Sequence, residues 1–158
     1  MGLKVYGIVA AQNEDNAGET ILIDGIDTTN LHLQKDEHPG EENDTFLTKV
    51  GSINYHKKIY SENDCENPKQ LRCWKYAGVP FLYGEGELMD DTGHPNAQAS
   101  AAALKFSQRS DVPLDIGWSI DGGIAERRTP DGQTTEDKDM GKILAQTVAL
   151  AASLTVKR

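Results

Sequence analysis

Ser119 closes an apolar run, "VPLDIGWSIDGGI" (Val112–Ile124), and two glycines follow it almost at once. A hydroxyl placed there can act as a nucleophile in acyl transfer if a base, an orienting group and oxyanion donors accompany it. The "DGG" step frees the backbone, so N–H groups at Asp121, Gly122 and Gly123 are candidates for an oxyanion hole. Alone, a serine between Trp118 and Ile120 is more often a strand residue with a satisfied hydroxyl. "GWSID" also lacks the second glycine of a G-x-S-x-G elbow.

Four histidines could supply the base. His32 ("NLHLQ") alternates with Leu31 and Leu33 and reads as a strand residue. His56 sits beside two lysines, a poor setting for a proton acceptor, and His94 precedes a proline at a helix start. His38 ("KDEHPGE") stands among carboxylates at a strand-to-loop transition, where negative neighbours favour the imidazolium a base must form. The same segment, Asp36–Asp44 with Glu37, His38, Glu41 and Glu42, has the oxygen ligands of a divalent-cation site, although a solvated acidic loop is the plainer reading.

These residues belong to a chain of 158 amino acids, long enough for one domain, 1–158, with its own core. A net charge of −9 and the lack of any basic stripe exclude a nucleic-acid binder. The apolar stretch around Ile143–Val156 is short for a membrane span, and no leader pattern opens the chain, so neither nucleic acid nor membrane is expected as a partner. Cys65 and Cys73 lack the spacing of a zinc framework with His56 and read as reduced thiols of a cytosol-like compartment. No metal or other cofactor is expected.

The elements that must position the candidates follow from pattern and punctuation. "LKVYGIVAA" and "TILIDGID" read as strands, Lys35–Asp44 as a loop, and Phe46–Tyr60 as a strand. Asn67 caps a helix begun by Pro68 and ended by Gly78, with Leu71, Trp74 and Tyr76 as its buried side. Val79–Asp91 is a strand, and His94–Ser110 a helix with Ala99, Ala103 and Phe106 on one face. The Ser119 strand stops at "DGG", and a hairpin arm with a polar tip, "TPDGQTTEDKD", comes next. "GKILAQTVALAASLTV" fits a helix by composition and a strand by its alternation. The order points to α+β with a mainly antiparallel sheet.

The "EHP" loop, the strand "PFLYGEGELMDD", the helix "AQASAAALKFSQ" and the strand "LDIGWSIDGGI" occur in an order that resembles the prohead maturation proteases of tailed bacteriophages, relatives of the herpesvirus assemblin proteases. The resemblance spans Leu31 to Leu154. It implies a mainly antiparallel β-barrel flanked by helices, Ser119 as nucleophile, and His38 as general base. It further implies a precursor that trims itself, with phage scaffold and major capsid proteins as substrates inside the assembling prohead in the host cytoplasm, and it is compatible with a homo-oligomer. A chain ending bare at Lys157-Arg158 fits a processed or shortened form.

One position departs from the family. Its last strand carries an acid in a pattern like V-x-L-E-x-S-L, and here "VALAASL" places Ala151 at that point. An alanine cannot orient an imidazole. Three origins fit: an inactivating replacement, a natural dyad or inactive capsid component of the same fold, or an acid recruited from Glu136 or Asp139. The first is favoured, because a self-digesting protease is hard to prepare intact. Restoring Asp or Glu at 151 is then expected to confer cleavage.

Overall fold

In the computed structural model, residues 2–36, 46–109 and 116–156 are described. They form nine strands and two helices: β1 (Lys4–Ala11), β2 (Thr20–Ile21), β3 (Ile26–Asp27), β4 (Leu33–Asp36), β5 (Lys49–Ile59), α1 (Pro68–Ala77), β6 (Phe81–Leu88), α2 (Pro95–Ser107), β7 (Ile116–Arg128), β8 (Thr134–Thr135) and β9 (Ile143–Val156). One sheet holds all the strands in the order β1-β6-β5-β4-β9-β7-β8, with β2 and β3 also on β9. Its pairings are antiparallel except for β2, β3 and β4, each of which runs parallel to β9.

The ambiguous last segment is therefore a strand, and its alternation outweighs its Ala and Leu content. Ala145, Thr147 and Ala149 are buried at every second position. Ala149 pairs with Gly122 and Ala151 with Asp121, which leaves Leu150 as the extra residue of a bulge, with its side chain 47% exposed. A bulge switches which face later residues present. Beyond it Ala152 and Leu154 enter the core, and Ala151 and Ser153 turn to the opposite face.

The expected closed barrel is not formed. The sheet curves until β1 and β7 come into contact, but no hydrogen-bonded ladder joins them. Side chains span the seam instead. The indole of Trp118 reaches beneath Gly7 of β1 and Gly84 of β6, where an added Cβ would lie 3.9 and 3.2 Å from the ring. The Ser119 strand also does not stop at "DGG": it runs through both glycines to Arg128. At Gly122 a Cβ would sit 1.8 Å from the Val148 carbonyl oxygen, so glycine serves close approach of β7 to β9 rather than a turn.

Both helices are set by their caps. Asn67 Oδ1 accepts from the Gln70 N–H at 3.0 Å, and Gly78 ends α1 in the left-handed region at φ 64°. Gln70 and Cys73 are buried and Trp74 packs as expected against the cluster of Ile59, Phe81 and Tyr83, Leu71 is half-buried, and Tyr76, expected inward, is 83% exposed. In α2, His94 Nδ1 accepts from the Ala97 N–H at 3.1 Å, so Nε2 carries the proton and donates to the Phe46 carbonyl at 2.8 Å. That anchor fixes the helix phase: Ala97, Ala101 and Leu104 face the core, while Ala99 and Phe106 turn outward. Among the described residues no helix is long and apolar enough to cross a membrane.

Candidate functional site

Three neighbouring strands, β4, β9 and β7, place the candidate residues in rows, because directly paired residues share a face of a sheet. In one row Lys35 of β4 pairs with Ser153 of β9, and Ser153 with Ser119 of β7. The next row is Leu33, Ala151 and Asp121. The reverse face of the same strands carries Gln34, Ala152, Leu154, Ile120 and Trp118, which belong to the core or support it.

Ser119 is partly exposed and lines a cleft of about 710 Å³. The cleft runs along the seam, with Val5–Ala11 of β1 on one wall and Ile116–Ile120 of β7 on the other. Among the described residues nothing pairs with the outer edge of β1, or with β7 on the side away from β9 before Arg127. Backbone donors and acceptors on those edges are therefore open to a ligand.

Behind Ser119 the row becomes unusual. Ser153 is fully buried, yet its Oγ has no hydrogen-bond partner among the described residues. Thr147 Oγ1 and Glu87 Oε1 share that state, and a buried polar group left without a partner costs roughly 1–3 kcal/mol. Above it, Lys35 Nζ lies 3.5 Å from Asp121 Oδ2, with side chains 12% and 31% exposed.

The other sequence candidates are placed as follows. Ala151 is fully buried between Leu33 and Asp121. Asp121, Gly122 and Gly123 are consecutive ladder residues of β7, two to four positions past Ser119. His38 and the rest of the acidic loop up to Asp44 lie outside the described residues, while Asp36 is the last residue of β4. Glu136 and Asp139 follow β8, which pairs at Arg127 and Arg128, roughly 25 Å of extended chain from Ser119. The fold does not bring them to the serine. His32 is exposed just before β4 with Nδ1 2.6 Å from the Asn30 carbonyl oxygen, His56 is on β5, and His94 caps α2, so none of the three is on β4, β7 or β9.

The cysteines do not compete for the nucleophile's role. Burial pushes the Cys73 thiol up to about 11, and burial together with Glu62 and Asp64 raises Cys65. Thiols held protonated at neutral pH are poor nucleophiles.

Sequence reasoning did not single out Lys35 or Ser153. The signal was present as parity: Lys35 stands two residues from Leu33 on β4, and Ser153 two from Ala151 on β9. Comparison with known protein families, with curated proteins and with solved structures found no match.

Proposed function

We propose that this chain is a serine endopeptidase of the prohead-maturation type, with an assemblin-like fold, that cuts scaffold and major capsid proteins and its own precursor. Its main support is the place of Ser119: a partly exposed hydroxyl on the wall of a cleft bounded by two unpaired strand edges. Open edges of this kind hold an extended polypeptide by its backbone.

In the proposed reaction, Ser119 Oγ attacks the peptide carbonyl carbon as His38 takes its proton. N–H groups in the Asp121–Gly123 region stabilise the negative oxygen. The proton passes to the leaving amine, the C–N bond breaks, and water then hydrolyses the acyl ester by the same steps in reverse order. Alanine at 151 favours one second reading, a catalytically silent capsid component of the same fold.

Incubation of the chain with unfolded protein substrates, followed by mass spectrometry of the products, separates the two. Discrete cleavage that disappears in Ser119→Ala is expected for the protease. Equal stability of substrate with both proteins would establish the silent component.

A further inference from the structure

We infer that His94 is a pH-sensitive clasp: its neutral ring ties the start of α2 to the turn at Phe46, and a proton on Nδ1 releases the tie. The inference does not draw on the protease reading. A short helical turn, Phe46–Thr48, leads into β5. Two side chains at the start of α2 hold it. His94 Nε2 donates to the Phe46 carbonyl at 2.8 Å, and Asn96 Nδ2 donates to the Leu47 carbonyl at 2.7 Å. Of these two groups only the imidazole changes its charge near neutral pH.

The other nitrogen of the ring makes the tie conditional. Nδ1 accepts from the Ala97 N–H at 3.1 Å, so the two bonds together require the neutral ring with its proton on Nε2. An imidazolium carries N–H groups on both nitrogens, and Nδ1 would then turn a donor toward the Ala97 donor. It would also add positive charge where the unpaired N–H groups of the helix already gather it.

The surroundings do little to hold an imidazolium in place. His94 is only 3% exposed, yet the ring that stacks on it is that of Phe46, 4.7 Å away between centroids and itself 65% exposed. Movement of that one side chain opens the imidazole to water. The first turn of α2 has no acidic residue. Among the elements packed against α2, the preceding turn has Asp90 and Asp91, and β4 has Lys35 and Asp36. β5 has Lys49, His56, Lys57 and Lys58, and β6 has Glu85 and Glu87. None of these bonds to the ring, whose two nitrogens are both taken by backbone groups.

The other helix provides the contrast. Asn67 Oδ1 accepts from the Gln70 N–H at 3.0 Å and caps α1 with an amide that does not titrate. α2 is also the helix that brings Leu104 to the wall of the Ser119 cleft, so the clasp sits on an element that frames the cleft.

Amide hydrogen exchange of the full chain tests the inference, read by NMR between pH 7.5 and 5 and corrected for the intrinsic pH dependence of exchange. Protection of the Ala97 N–H is expected to fall by roughly fivefold or more toward pH 5, the loss of one helix cap, while that of the Gln70 N–H stays level. His94→Asn keeps an acceptor at the cap and removes the titrating ring, so Ala97 protection in that variant should not vary with pH. A fall at Ala97 that persists in His94→Asn overturns the inference, as does a fall no larger than that at Gln70. Should His94→Asn not fold, the nitrogen resonances of the isotope-labelled imidazole in the parent decide. Protonation of Nδ1 in step with the loss of Ala97 protection is the expected result, and either change without the other overturns the clasp.

Discussion

On one face of β9 Trp118 and Gln34 meet across the strand, and on the other Asp121 and Lys35 do. The two bridges share their strands and differ in how they are finished. Trp118 Nε1 donates to Gln34 Oε1 at 3.0 Å, and Gln34 Nε2 donates onward to the Ser52 carbonyl at 2.9 Å, all within a face buried against the core. Opposite, the ion pair is longer and partly exposed, and the Ser153 hydroxyl on the same face has no partner among the described residues. Fully satisfied buried networks help specify a fold; the Ser153 hydroxyl, like Thr147 Oγ1 on the core face, adds nothing of that kind among the described residues. The comparison sets a buried, hydrogen-bonded bridge on one face against a partly exposed ion pair on the other.

Variants can break that division. Trp118→Ala removes the ring that spans the seam to Gly7 and Gly84, and should destabilise the chain by about 3–5 kcal/mol in denaturant unfolding. Gln34→Leu leaves the buried indole N–H without its acceptor; about 1–3 kcal/mol of stability should be lost, and a neutral result would mean that the core face is not specified by this network. Lys35→Met breaks a partly exposed ion pair, so calorimetry should register a loss of no more than about 1 kcal/mol. Ser153→Ala should be smallest in effect, because the gain from removing a buried hydroxyl with no partner among the described residues is offset by the void its oxygen leaves. A clear destabilisation by that last change would show that Ser153 holds the fold and would erase the contrast.

Much of the fold was legible because its signals are local. Asn67, Pro68 and Gly78 bound α1 as read, and the β-branched run of β1 formed where expected. The exposed Tyr76 and the rotated face of α2 were not legible, because helix phase depends on what the caps touch, and His94 is anchored by Phe46, 48 residues away. The Leu150 bulge was hidden for a similar reason: an extra residue is defined only against a partner strand. For the site, the sequence offered Ser119 and flagged Ala151 as anomalous. Only the register sets Asp121 opposite Ala151, and only three-dimensional pairing puts Lys35 two strands away within reach of it.

The most direct measurement is covalent labelling of the native chain with a fluorophosphonate probe, followed by peptide mapping. A single adduct on Ser119, lost on unfolding and absent from Ser119→Ala, is the expected result. A folded chain that takes up no probe, or takes it up at a different serine, would contradict Ser119 as the nucleophile.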